Sequence, residues 1–406
     1  MVATASPVVG PARPVVVVLA PRWSGDGEAA WFTRQVARAL LRRGDVHVIT
    51  LEGPEAGVTE DRGGRGTDDG DARCTVHRLA LAPAPRLVAR REVLLAALST
   101  VEARSGQPNG PSVERLLRGG TSELWESADE RVARLRPDLV VVAGYRQLGA
   151  FEVCRRAAPG VPLVFVPLAD TNPAVGLAHF DPMFAGAAAT LVATRSEYRA
   201  VTRANAASVR DPDRIHTVGL PVTIDATTDA GHDQASRSGM VVFTGHGADD
   251  HDLPAALARL VALALPRSRV AVVSSDALTT WSAGVPTRSV VPEPGTAIIE
   301  LMAGAAVTVD LRPGELLARR CIDSLLCGTP VVVPADSRGR QHAELGGGGL
   351  WFSPPGELVW CVEALLDPEV HGRLGAQGRR YAASAFGTPS DFADRVAAAI
   401  GEVAPR

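Results

Sequence analysis

Short, wholly apolar runs alternate along the chain with segments whose apolar positions recur every three or four residues. Val15 to Leu19 is the first such run, the pattern of a parallel strand buried on both faces. A glycine-bearing loop follows, Ser24-Gly25-Asp26-Gly27-Glu28. Next comes a helical pattern with Trp31, Phe32, Val36, Leu40 and Leu41 on one side. Gly44 stops it, and Val46–Leu51 reads as the next strand. Strand, loop, helix and strand in this order open a doubly wound α/β sheet. Leu139–Ala143, Leu163–Val166 and Thr190–Ala193 supply later buried strands, and Val218–Ile224 leads out of the first half.

The second half starts the same way. Met240–Thr244 reads as a strand, Gly245–Asp252 as a loop and Leu253–Leu265 as a helix. Val270–Ser274, Val307–Leu311 and Val331–Val333 read as strands, and residues 357–366, 368–385 and 390–403 as helices. Polar residues 226–238 make a hinge between halves. The expected organisation is therefore two Rossmann-like domains, 1–225 and 239–387, facing a central cleft. A last helix in 388–406 crosses back to the first domain. Ligands of such sheets sit at the carboxyl ends of the strands. Residues 53–72 read as a mobile surface loop, and 86–104 as an amphipathic helix with Arg86, Arg90 and Arg91 on its polar face. That helix either packs on the core or lies at an anionic membrane surface.

Composition changes little and excludes a good deal. A 46% hydrophobic and 21% charged chain of 406 residues is that of a soluble globular protein with two cores. A net charge of −3 leaves no nucleic-acid footprint. The first 13 residues show no signal peptide, and the VVVVLA run at 15–20 is too short to span a bilayer. The five cysteines are scattered without CxxC spacing, so reduced thiols and a cytoplasmic setting are expected. All 42 basic residues are Arg. A lysine Schiff base or Walker-type lysine is thereby ruled out, and phosphate must be met by Arg, His or backbone N–H groups.

The richest stretch runs from Gly314-Glu315-Leu316-Leu317 through Arg319, Arg320 and Asp323 to Cys327-Gly328-Thr329-Pro330 and the strand Val331–Pro334. Glu315 is expected at a helix start, where the unpaired N–H groups of Glu315, Leu316, Leu317 and Ala318 can hold a diphosphate. Glu315 and Asp323, eight residues apart, would stand about 80° apart around one helix at ~100° per residue. This layout, with Gln341-His342-Ala343-Glu344 before glycines 346–349, resembles the sugar-nucleotide site of two-domain GT-B glycosyltransferases, most closely glycosyltransferase family 4. The resemblance implies a nucleotide-sugar-side second domain and an acceptor-side first domain. It gives Glu315 to the donor sugar and Asp323 to the ribose hydroxyls. It implies a nucleoside diphosphate sugar as donor, no required cofactor, and transfer with retention to a saccharide, lipid-linked or small-molecule hydroxyl.

The chain also departs from the family pattern. After Met240–Thr244 the family has Gly-Arg and a later Lys to neutralise the diphosphate. Here Gly245 is followed by His246, with His251 at the Lys position among Asp249, Asp250 and Asp252. Those acids repel a diphosphate. Asp250-His251-Asp252 has the spacing of a metal-binding Asp-x-Asp, but a solvated acidic loop is preferred and no metal is assigned. Substitute cations are Arg22, Arg319, Arg320, Arg338 and Arg340, of which Arg338 and Arg340 follow a cleft-lining strand. In the first domain Gly25 and Gly27 resemble the family's glycine loop. Ala169 replaces its His, leaving Asp170 to orient or deprotonate the acceptor and His179 as a stand-in. The competing reading is a non-catalytic glycosyltransferase-like binding protein. An epimerase on the same fold is a third, with no added catalytic acids to support it.

Overall fold

Nine strands were legible as apolar runs, and each is present in one of two seven-stranded sheets. The computed structural model describes residues 13–20, 28–51, 74–79, 125, 128–144, 147–168, 181–204, 211–222, 239–244, 252–273, 277–282, 285–290, 294–311, 317–401 and 403. The chain divides into two units, Met1–Leu220 with Ser390–Arg406, and Pro221–Pro389.

The first unit carries β1 (Val15–Ala20), α1 (Glu28–Leu40), β2 (Asp45–Thr50), β3 (Cys74–Arg78), β4 (Leu139–Ala143), α2 (Leu148–Ala157), β5 (Leu163–Val166), α3 (Asp181–Gly186), β6 (Ala189–Val192), α4 (Arg195–Ala204) and β7 (Ile215–Thr217). The strand order is β3-β2-β1-β4-β5-β6-β7, and every pairing is parallel. β3 and β7 lie at the edges. Neither has a continuous apolar run, and β3 is only half-buried throughout, so neither stood out in the sequence.

The second unit carries β8 (Met240–Thr244), α5 (Asp252–Ala264), β9 (Arg269–Val273), β10 (Ala277–Ser282), β11 (Val285–Val290), α6 (Pro294–Gly304), β12 (Val307–Asp310), α7 (Arg319–Leu326), β13 (Val331–Pro334), α8 (Gly339–Gly346), β14 (Gly349–Phe352), α9 (Pro355–Leu366) and α10 (Pro368–Ala385). Its order is β11-β10-β9-β8-β12-β13-β14. β9-β8-β12-β13-β14 is parallel, whereas β10 pairs antiparallel with both β9 and β11. The sheet is therefore mixed. Strand alternation sends Val241 and Phe243 to one face, against Leu257 and Val261 of α5 and Leu358 and Val362 of α9. Met240 and Val242 face Ile298 and Met302 of α6 on the other. Both faces are covered, which is why these strands read as unbroken apolar runs.

α11 (Pro389–Gly401) belongs, from Ser390 on, to the first unit. Phe392 packs edge-on against Phe32 of α1 at 5.8 Å between ring centroids. Arg42 reaches Asp394 at 2.9 Å, and Arg43 donates to the Ala397 carbonyl at 2.7 Å. Val396 and Ile400 are buried beside Phe392 along the same helix.

Candidate functional site

In the second sheet β8 and β12 are neighbours although β9, β10 and β11 intervene in sequence. The chain leaves β8 toward one edge and returns on the other side. Such a reversal leaves a crevice at the carboxyl ends of the two strands, the usual ligand position of open α/β sheets. Thr244 and Asp310, the last residues of β8 and β12, are buried there, and the Thr244 hydroxyl donates to Asp310 Oδ1 at 3.4 Å.

α7 starts beside this point and is bolted to the sheet. Cys321, Ile322, Leu325 and Leu326 are buried. The Ser324 hydroxyl lies 2.8 Å from Thr308 Oγ1 on β12 and 3.0 Å from the Thr329 carbonyl. Thr329 Oγ1 donates to the Met302 carbonyl at 2.7 Å. α10 crosses α7 closely: a Cβ at Gly375 would run into the Gly328 carbonyl oxygen. These contacts hold the carboxyl half of α7 and the turn after it against β12, α6 and α10.

The helix begins later than the sequence pattern implied. Its first residue is Arg319, and Ala318 before it is left-handed, with φ 46° and ψ 45°. A left-handed residue breaks helical phase, so a common helix through Glu315 and Asp323, with its ~80° offset, is corrected. Leu317, expected among the phosphate-binding amides, precedes that turn and is 1% exposed. Asp323 was expected to accept ribose hydroxyls. Its residue is 6% exposed, and its Oδ2 lies 3.5 Å from Arg319 Nε and 3.7 Å from Arg320 Nη1. The carboxylate therefore holds two guanidinium groups at the positive end of the helix dipole. Two arginines at that end oppose the dipole, and one buried carboxylate offsets one of them. The arrangement favours an anion.

Arg338 and Arg340, both chosen for following β13, part ways. Arg338 immediately precedes α8, and its charge acts on His342. Arg340 turns to its own neighbourhood. It donates to the Ala335 carbonyl at 3.2 Å, pairs with Glu344 at 3.8 Å and stacks 5.1 Å above the Trp351 ring. Gly25, Gly27, Asp170, His179, Gly245, His246, Glu315 and Leu316, with Arg22 and His251, lie outside the described residues. So does the helix expected over 86–104.

His342 is the residue the motif reading passed over. It is 7% exposed, and burial pushes its imidazole down to about 4, the Leu317 carbonyl opposing the shift and Arg338 adding to it. Its Nδ1 lies 2.9 Å from the Tyr381 hydroxyl of α10. It is named in the Gln341–Glu344 segment, but its two partners are 25 and 39 residues away, so no local spacing marks it.

Near β2 and β3 of the first unit, His47 Nδ1 lies 3.1 Å from His77 Nε2, and Arg131 Nη1 donates to His77 Nδ1 at 2.8 Å. Arginine only donates, so His77 is an acceptor at Nδ1 and carries its proton on Nε2. Burial first, then Arg131 and His47, push His77 down to about 4. Leu168, two residues beyond β5, is left-handed like Ala318, with φ 49°. Among the described residues, no group of three or more His, Cys, Asp or Glu is placed to hold a metal ion, and no helix is long and apolar enough to cross a membrane.

No protein-family model and no curated protein sequence matches the chain. Solved structures do. HepE of Anabaena in complex with UDP-glucose superposes with a TM-score of 0.60 at 13% identity, over 96% of this chain and 100% of that one. Sucrose-phosphate synthase of Thermosynechococcus elongatus gives 0.63 at 14% identity, over 96% and 99%. WaaG, a glycosyltransferase involved in lipopolysaccharide biosynthesis, gives 0.59 at 12% identity, over 94% and 99%. At these identities the likeness is one of fold. The chain has the GT-B fold, with two Rossmann-like α/β domains.

Proposed function

We propose that this protein is a glycosyltransferase that moves a sugar from a nucleoside diphosphate sugar to an acceptor hydroxyl, with retention at the anomeric carbon. In the reaction the bond from the anomeric carbon to the diphosphate breaks, and a bond to the acceptor oxygen forms. The acceptor's proton passes to a base, the role given to Asp170, and the nucleoside diphosphate leaves. The observation that carries the reading is the amino end of α7, set at the β8/β12 reversal with Arg319 and Arg320 gathered by the buried Asp323. Backbone N–H groups and fixed guanidinium groups stabilise the charge that develops on a leaving diphosphate without a required metal. They would stand in for the cations that the Gly245–Asp252 loop lacks. HepE, of the same fold, is solved with UDP-glucose, which makes uridine diphosphate sugars the first donors to test. All five cysteines are free thiols, in keeping with a cytoplasmic reaction.

The test is calorimetric titration with UDP, GDP and ADP, followed by donor-turnover assays. Binding of one of them is expected, weakened about tenfold or more by Arg319→Ala with Arg320→Ala, the loss of one or two charge-assisted contacts. Absence of binding by every nucleoside diphosphate sinks the reading. The same engagement of Asp323 by arginine favours one second reading: a nucleotide-sugar-binding protein without turnover. Donor binding with neither transfer nor hydrolysis would select it.

A further inference from the structure

Ala318 holds a conformation that costs an alanine about 1–2 kcal/mol and that persists only where its surroundings enforce it. The enforcement is visible one residue upstream. Leu317 is buried, and its backbone carbonyl faces the His342 imidazole and favours a proton on it. With Nδ1 engaged by Tyr381, the nitrogen left for that carbonyl is Nε2, which as the protonated nitrogen of a neutral ring donates. Nδ1 then accepts from the Tyr381 hydroxyl. One line of contacts runs from Tyr381 on α10, through His342 on α8, to the residue before the turn that aims α7.

We propose that His342, braced by Tyr381, is a positioning residue that fixes the Leu317–Ala318 turn and thereby aims the first amides of α7, with Arg319 and Arg320, at the diphosphate of a nucleotide sugar. The proposal rests on the donor-site reading above. It explains three things together. The imidazole is packed among aromatic rings, Phe386 edge-on at 5.6 Å and Tyr381 at 6.1 Å, which hold its plane. Gly346, on the same helix, has no room for a Cβ, which would meet the Tyr381 ring at 2.7 Å. Burial keeps the ring neutral beside the Arg338 cation, so it donates at one nitrogen and accepts at the other. Among the described residues, the charge bearing on it is that of Arg338 on its own segment, and the Tyr381 phenol of α10 meets its Nδ1.

Two readouts on the full chain test this. Amide hydrogen exchange over residues 317–322 follows the turn itself, and titration with UDP follows the site. His342→Leu should speed exchange over 317–322 and weaken UDP binding about tenfold, the loss of one buried hydrogen bond and its orientation. His342→Gln places an amide donor near the Nε2 position and should restore both, binding to within about threefold of the parent chain. Ala318→Gly, which adopts φ > 0 without cost, should recover part of the binding lost in His342→Leu. If His342→Leu leaves exchange over 317–322 unchanged, or His342→Gln behaves like His342→Leu in a folded chain, the assignment is overturned. If the parent chain binds no nucleotide, the donor-site reading fails. The exchange data then still decide whether His342 sets the turn.

Discussion

A histidine kept neutral in the folded chain and free to charge in the unfolded one links proton uptake to unfolding. His342 is such a group, ordinary near 6.5 when unfolded and held at about 4 when folded. Above pH ~6.5 both states are neutral and the contribution to stability is complete. As pH falls from there toward 4, the unfolded chain takes up a proton that the folded one refuses, and stability drops. The integrated loss is about 3 kcal/mol. Urea unfolding at pH 7 and pH 4.5 should therefore show a smaller loss in His342→Gln, which has no proton to gain, than in the parent chain. Equal losses would contradict the burial assigned to this ring. His77, half-exposed and shifted in the same direction, stays in both proteins and cancels from the comparison. At this scale the sequence offered residue types but not states. Arg319, Arg320, Asp323 and His342 could all be named. That His342 would meet Tyr381 depends on α10, and that Asp323 would face Arg319 and Arg320 within one helix depends on the turn at Ala318 that sets where the helix starts.

Elements were legible in proportion to how much local chemistry specified them. α10 begins where Asp367 and Pro368 say it should: the carboxylate accepts from Glu369 N at 2.9 Å and Val370 N at 3.0 Å, and proline occupies the first turn. Asp367→Ala should cost about 1 kcal/mol, read as a lowered thermal midpoint, and Asp367→Ser should recover most of it. A midpoint unchanged by Asp367→Ala would mean that packing, not the cap, fixes the helix start. α7 shows the opposite case. Nothing in Leu317-Ala318-Arg319 forbids a longer helix, and alanine is the best helix former of all. The left-handed turn at Ala318 is imposed from outside, so the helix start could not be read along the chain. β10 and β11 escaped notice for a related reason. They sit at the edge of a mixed sheet, where pairing partners rather than a buried apolar run define a strand.

For the molecule, the last helix matters out of proportion to its length. Phe392 is 2% exposed and meets Phe32, while Arg42 and Arg43 of the first unit reach Asp394 and the Ala397 carbonyl. The first unit is completed by residues about 170 positions further along the chain than Leu220. Phe392→Ala should destabilise that unit by about 3–5 kcal/mol, the usual cost of deleting a buried aromatic ring. Urea unfolding followed by the fluorescence of Trp31 and Trp125 would report it, and a shift under about 1 kcal/mol would show the helix to be a loose appendage. The sequence by itself determined the two doubly wound sheets, because strands buried on both faces must be apolar throughout and the helices covering them must be amphipathic. It also determined that any phosphate would be met by arginine, histidine or backbone N–H groups, because the chain contains no lysine. Only the tertiary structure decided where α7 begins, which charge Asp323 serves and what holds the turn before it. The helix start and the turn depend on groups far apart in sequence meeting in a buried place, and the Asp323 pairing with Arg319 and Arg320 follows at i,i+4 and i,i+3 spacing once that start is set.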